Sequence, residues 1–293
     1  MAITNALRTR PLHPAIGVEI SGVDLSQPLS DETIDEIKRL WSQHFVLLFR
    51  KQKLTEEQQI DFTRRFGKLE VYIEANKRSA SHPEIVRISN VDADGNIRKA
   101  DDIVAHFFAV LTQLWHTDGS YKAIPSLGSA LHSIEVPPSG GETCFSNQVA
   151  AYEALSDEMK AKVTGKYMLH DHDFTRILAP GLPPSPIEQR LAMPASVHPV
   201  VRTHKDGRKS LYVSSNVAYY VAGMPHEEGK ALHKQLIEWC TQPRFVYCHS
   251  WEPGDMLMWD NRFTMHRVQP YASTEHRRVM QRTELSGSEI PVA

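Results

Sequence analysis

Small or apolar residues alternate with polar ones from Ile16 to Leu25, which predicts strand pieces over residues 16–29. Ser30 can then cap a helix in which Ile34, Ile37, Leu40 and Trp41 recur at helical spacing. Phe45 to Phe49 is a continuous apolar run, the pattern of a buried strand. Thr55-Glu56-Glu57-Gln58 is a capping box for a second helix, which carries Ile60, Phe62 and Phe66 and stops at Gly67. Further strands are predicted over 84–90, 127–136, from Thr143 onward, and over 210–217, 244–250, 256–260, 263–268 and 277–285. Val149, Tyr152, Leu155, Met159 and Val163 share one helical face, and 227–240 is a second amphipathic helix. Turns fall at 92–95, 137–141 and 253–255, where Gly, Pro and Asp cluster.

Two stretches break the pattern. Residues 70–114 are irregular, and Lys99 to Leu114 mixes charge with Phe107, Phe108, Val110 and Leu111. This is either a lid beside a site or a solvated connection with one packed helix. Residues 176–199 hold six prolines, too many for a helix or a central strand, and predict a surface excursion at a pocket wall or a subunit contact. Many short strands with few helices predict a mainly β fold with flanking helices. The expected architecture is a double-sheet roll, or jelly roll, in a single domain over 1–293, with a large insertion at 146–250. Its site would lie between the sheets, in the mouth of the roll.

Composition narrows the class without naming a chemistry. A hydrophobic share of 41% and a charged share of 23% are ordinary for a globular protein. A formal net charge of −2 argues against nucleic-acid or membrane partners. No apolar run reaches a bilayer span, and Met1 to Thr9 lacks the core of a signal peptide, so a cytoplasmic location is expected. Cys144, Cys240 and Cys248 are odd in number and not at metal spacing, which predicts reduced thiols.

Chemistry concentrates in Trp115-His116-Thr117-Asp118. A His and an Asp two apart on an extended segment project to one side and can share a metal ion. His266 lies 148 residues beyond Asp118, a distance natural where sequence-distant strands line one cavity. Two His and one carboxylate describe the facial triad of non-haem Fe(II) oxygenases. On the last strand, alternation places Arg278, Met280 and Arg282 on one face and Arg277, Val279 and Gln281 on the other. Two inward guanidiniums would each demand an anion, one co-substrate and one substrate; the alternative is an edge strand whose arginines face water. His170-Asp171-His172 has no third ligand nearby and reads as a solvated pair.

Taken together, these residues resemble the taurine / dichlorophenoxyacetate dioxygenase family of Fe(II)- and 2-oxoglutarate-dependent oxygenases. The likeness rests on Gly17-Val-Glu-Ile-Ser-Gly-Val-Asp-Leu25, the Phe-Val-Leu-Leu-Phe-Arg50 run, Ile88-Ser89-Asn90-Val91 and Trp115-His116-Thr117-Asp118. It continues in Pro138-Ser-Gly-Gly-Glu-Thr143, Met258-Trp259-Asp260-Asn261-Arg262 and Arg277-Arg278-Val-Met-Gln-Arg282, and spans nearly the whole chain. The resemblance implies that His116, Asp118 and His266 hold iron and that dioxygen is consumed. It implies that Thr143 and Arg278 bind 2-oxoglutarate and that Arg282 grips the substrate's carboxylate or sulfonate. The interval from His266 leaves a register choice between Arg277 and Arg278. The dichlorophenoxyacetate branch is the nearer, so an aryloxyalkanoate or other organic carboxylate is expected ahead of taurine. Hydroxylation, with release of succinate and CO2, is the expected outcome, and a homo-oligomer is possible on the apolar share of the insertion. Competing expectations are a zinc hydrolase built on the same three ligands and a non-catalytic binding roll. For the cavity wall, Tyr72, Asn76, Lys77, Asn216 and Tyr219 are the candidates.

Overall fold

The computed structural model describes residues 7–72, 77–179, 181, 183 and 185–293. Asn76 and the side chains of Phe107 and Phe108 lie outside the described set. The chain opens with β1 (Arg8–Pro11), β2 (Val18–Ser21), α1 (Asp31–His44), β3 (Val46–Phe49) and α2 (Glu56–Arg64). It continues through β4 (Val86–Ser89), α3 (Ile103–Leu111), β5 (Gly128–Glu135), β6 (Thr143–Asn147), α4 (Gln148–Glu153) and α5 (Asp157–Val163). Next come β7 (Tyr167–His170), α6 (Phe174–Leu178), α7 (Ile187–Ala192), β8 (Ser196–Pro199), β9 (Val201–Thr203), β10 (Lys209–Leu211) and α8 (His226–Cys240). β11 (Val246–His249), β12 (Met256–Asp260), β13 (Thr264–Val268) and β14 (Val279–Leu285) complete it.

Seven strands form one sheet in the order β1-β2-β3-β12-β5-β14-β4, and three form a second in the order β11-β6-β13. The period of two along β3 shows how they are held. Leu47 and Phe49 point to one face and pack with Ile34, Ile37, Leu40 and Trp41 of α1, as does Phe62 of α2. Val46 and Leu48 point to the other face and meet Phe145 of the second sheet, with Leu131, Leu257 and Trp259. Every residue of β3 and β12 is buried, which is why these strands read as continuous apolar runs. The larger sheet is thus covered by helices on one side and by the smaller sheet on the other. The space between the sheets receives side chains from β5, β13 and β14.

Both helix-start signals form. The Ser30 hydroxyl accepts from the Thr33 amide at 3.3 Å, and Thr55 and Gln58 close the capping box reciprocally. Elsewhere the chain departs from its local pattern. The helix expected across 149–163 is two helices, because Ser156 accepts from the Met159 amide and starts α5 afresh. The strand expected over 210–217 stops at Leu211; beyond it the Ser215 amide donates to Trp115 O at 2.8 Å, turning that segment toward the site. The proline-rich stretch holds the short helix α7, with Pro186 just before its first turn, where a missing N–H costs nothing. The thiol expectation is overturned: Cys144 and Cys248 are joined as a disulfide, leaving Cys240 free and buried. These two cysteines are 104 residues apart in sequence yet directly opposed on β6 and β11, so spacing alone hid the pair. Among the described residues no helix is long and apolar enough to cross a membrane.

Candidate active site

The two histidines meet through their backbones. The His116 amide donates to His266 O at 3.0 Å and the His266 amide returns the bond to His116 O at 2.8 Å, so the residues are direct antiparallel partners. In that geometry side chains leave the same face, and the ring centroids lie 4.3 Å apart. Asp118, two residues on, brings Oδ1 to 3.8 Å from His266 Nε2. One ligand atom from each of His116, Asp118 and His266 lies within 4.8 Å of the other two. The Thr117 hydroxyl donates to Thr264 O at 3.1 Å and fastens the segment to β13. Gly119 then turns the chain at φ +65°, where an added Cβ would stand 2.4 Å from Ser126 Oγ.

The protonation states suit a cation. Burial pushes both histidines down, His266 to about 3, so each stays a neutral imidazole at ordinary pH. His116 Nδ1 lies 2.7 Å from Leu114 O; donating there, the ring leaves Nε2 as its lone-pair nitrogen. Burial works to raise the Asp118 carboxyl. Arg282, both histidines and the Ser129 hydroxyl oppose it and hold Asp118 well below the usual carboxylate range. Ser129 donates to Oδ2 at 2.9 Å and Arg282 Nη1 to Oδ1 at 2.9 Å. Two neutral imidazoles and one oriented carboxylate, with no thiolate, form a donor set for a divalent first-row metal such as iron.

Arg278 is 4% exposed, and its backbone amide donates to Asn90 Oδ1 at 2.7 Å. Its Nε and Nη2 are buried without a hydrogen-bond partner among the described residues. Burial pushes the guanidinium down to about 10, still a cation at neutral pH. It lines a cavity of about 60 Å³ with Asn90, Thr112, Gln269 and Tyr271. Gly141 allows this placement, since a Cβ there would already touch Arg278 Nε at 3.4 Å. A buried, incompletely satisfied guanidinium beside a cavity fits the carboxylate of a small acid such as 2-oxoglutarate. Arg277 turns the other way and donates to Glu135 at 2.6 and 3.0 Å on the outer side, so the inward arginine is Arg278. Thr143 lines neither cavity. Its hydroxyl accepts from Trp251 Nε1 at 3.0 Å, while its cross-strand partner Val268 lines the cavity of Arg278.

Arg282 faces a second cavity of about 120 Å³ together with His116 and Asp118. Its walls include Val86, Ile88, Leu111, Val217, Tyr72 and Tyr121, with Lys77 and Asn216. Tyr219 is not among them; it stacks on Phe174 with centroids 4.5 Å apart. The structure also corrects the reading of His170 and His172 as a solvated pair, because both are buried. They diverge. His170 stacks on Tyr212, and burial first, with His198 and His233, pushes it down to about 3. His172 packs edge-on against Tyr121 and lines the Arg282 cavity. Tyr121, His172 and Glu284 are cavity residues that sequence reasoning missed. Only Glu284 carried a local signal, two positions from Arg282 on the same strand.

Comparison with known proteins agrees with this geometry. The family described as taurine catabolism dioxygenase TauD, TfdA matches residues 8–283. The alpha-ketoglutarate-dependent 2,4-dichlorophenoxyacetate dioxygenase of Cupriavidus pinatubonensis is 38% identical, over 96% of this chain and 98% of its own. The (S)-phenoxypropionate/alpha-ketoglutarate-dioxygenase of Sphingobium herbicidovorans is 32% identical, over 94% of each chain. The crystal structure of AAD-2 in complex with Mn(II) and N-oxalylglycine superposes with a TM-score of 0.87 at 35% identity, over 98% of this chain and 99% of that one. Likeness of this extent, on a chain that gathers His116, Asp118 and His266 around one point, places the protein in the TauD/TfdA family of 2-oxoglutarate-dependent dioxygenases.

Proposed function

We propose that this dioxygenase oxidises a small aryloxyalkanoate-like carboxylate, with His116, Asp118 and His266 as the Fe(II) ligands. Arg278 binds 2-oxoglutarate in this reading, Thr143, which lines neither cavity of the ligand-free chain, lends its hydroxyl hydrogen as a second contact, and Arg282 anchors the substrate's anion. The observation that carries the substrate class is an arginine beside Asp118 in a cavity walled by aliphatic and aromatic side chains. The relatives that act on dichlorophenoxyacetate and phenoxypropionate support the same class. A sulfonate such as taurine would suit the same guanidinium and is the alternative to test. The zinc-hydrolase alternative leaves the buried, incompletely partnered Arg278 without an occupant.

Bound Fe(II) and 2-oxoglutarate supply the oxidising chemistry, in which dioxygen is consumed, 2-oxoglutarate leaves as succinate and CO2, and a substrate C–H bond is hydroxylated. The chain's residues orient and enclose. Arg278 holds the co-substrate in the neighbouring cavity, which shares Ile88 and Thr112 as walls with the cavity of Arg282. Arg282 fixes the substrate's anion close to Asp118, so the carbon beside that anion is the one presented to the metal site. Val86, Ile88, Leu111 and Val217 keep water from the carbon that reacts. With an aryloxyacetate, hydroxylation beside the ether oxygen gives a hemiacetal that releases the phenol.

We further read the two sheets as the walls of a double-stranded β-helix in one domain spanning 1–293. Of the expected insertion 146–250, residues 148–245 lie between the paired strands β6 and β11; of the expected lid 70–114, β4 belongs to the larger sheet, and α3, whose Leu111 lines the Arg282 cavity, is the covering element. A cytoplasmic location goes with this reading. Exposed Leu169 and Val197, paired across β7 and β8, support a homo-oligomer, which light scattering would test.

The decisive experiment is anaerobic addition of Fe(II) and then 2-oxoglutarate to metal-free protein. A visible charge-transfer band is expected, absent in His266→Ala and needing more 2-oxoglutarate in Arg278→Ala. Succinate formation with aryloxyalkanoate and sulfonate panels would then rank substrates. No band at saturation would overturn the reading in favour of a hydrolytic zinc site.

A further inference from the structure

The cation of the larger cavity comes with its own buried counter-ion. Arg282 donates through Nη1 to Asp118 Oδ1 at 2.9 Å and through Nη2 to Glu284 Oε2 at 3.0 Å. Glu284 is 4% exposed and lines the same cavity. Its other oxygen accepts from the Ser126 hydroxyl, with Lys122 Nζ 3.9 Å away and itself paired to Glu70. Both carboxylate oxygens are therefore hydrogen-bonded into the wall. A metal ion takes up the charge of Asp118; among the described residues Arg282 and the more distant Lys122 balance that of Glu284 against burial, which pushes its carboxyl up.

From this geometry, and resting on the reading of Arg282 as substrate anchor, we infer that Glu284 is a specificity-determining residue. It cancels most of the net charge of Arg282 while Nη1 and Nη2, each with one N–H given to Asp118 or Glu284, keep a second N–H for a ligand. The pocket then recognises an anion by hydrogen-bond geometry and not by net charge. It admits singly charged, charge-spread organic anions and rejects compact or doubly charged ones, because the cost of stripping water from a ligand climbs steeply with its charge and a guanidinium already balanced by Glu284 does not offset it.

The test is calorimetric titration of the Mn(II)- and 2-oxoglutarate-loaded protein with three ligands that share the phenoxymethyl group and differ in the charge of the head, each compared between wild type and variant. These are phenoxyacetamide, phenoxyacetate and, in mildly alkaline buffer, the dianion phenoxymethylphosphonate. Glu284→Gln is expected to tighten phenoxyacetate by about tenfold and the phosphonate by roughly a hundredfold, leaving the amide unchanged. Glu284→Asp, which keeps the charge, is expected to retain the wild-type order. A general loss of packing would shift all three ligands together. That result, or unchanged charge preference in Glu284→Gln, would overturn the inference. If neither protein binds any aryloxy ligand, the substrate class fails. Thermal stabilisation of the same loaded protein by acetate and by sulfate then still decides the role of Glu284, since those ions need Arg282 and no aryl wall. A larger gain with sulfate in Glu284→Gln supports the inference, and equal gains overturn it.

Discussion

Arg278 carries a cost in the free protein that the anion proposed for it would remove. A buried guanidinium with unpartnered nitrogens lowers stability until an anion arrives. Arg278→Ala is therefore expected to leave the melting temperature of the ligand-free protein unchanged or higher. It should also weaken 2-oxoglutarate by roughly 30-fold or more, as truncating one partner of a buried charge pair does. Wild type at 100 times its Kd should gain about 2.7 kcal/mol from 2-oxoglutarate, a gain that a roughly 30-fold weaker variant cuts to about 0.9 kcal/mol at the same concentration. Calorimetric melting with and without 2-oxoglutarate reads both effects. Ser129 acts one step out from the metal site: its hydroxyl fixes Asp118 Oδ2. Ser129→Ala should reduce metal affinity by about tenfold to a hundredfold with the fold intact, measured by competition with a chelator. An unchanged affinity would mean that Arg282 alone orients the carboxylate.

Helix starts were readable because they are local. Thr55 and Gln58 satisfy one another's backbone donors within a single turn, and no distant residue is needed to see it. Thr55→Ala should cost about 1 kcal/mol and lower the melting temperature by roughly 2–4 °C. Strand partners are a different matter. Cys144 and Cys248 had to be placed opposite each other on β6 and β11 before their bond could be seen. Thiol titration of denatured, unreduced protein should find one reactive sulfur, Cys240, and three after reduction. Three without reductant would return the pair to dithiols. The split of the 149–163 helix was visible in principle, since Ser156 followed by Asp157 and Glu158 is a helix start lying inside an unbroken apolar stripe.

Across the molecule, buried histidines set the acid limit. His170 and His204 are pushed to about 3, burial being the first cause for each, against 6.5 in an unfolded chain. Between those values the unfolded state binds more protons, so their contribution is full above about pH 6.5 and is lost as pH falls toward 3. Urea midpoints should decline steadily from about pH 7 to about pH 5, and His170→Gln should flatten part of that slope. An unchanged slope would mean that His170 is protonated in the fold.

Periodicity, caps and the order of motifs were enough to fix the strand-rich class, both N-terminal helices and the candidate residues themselves. These depend on neighbours a few positions away, where steric and hydrogen-bonding rules act directly. The resemblance, spread over nearly the whole chain, supplied the family. Folding decided which groups face one another. It paired His116 with His266 through two backbone hydrogen bonds, turned Arg278 inward and Arg277 outward, and set Glu284 against Arg282 beneath Ser126 and Lys122. It also buried His170 and His172, which a local reading left in water. Burial and charge balance are properties of the space between two sheets, and that space exists only once residues more than a hundred positions apart have been hydrogen-bonded side by side.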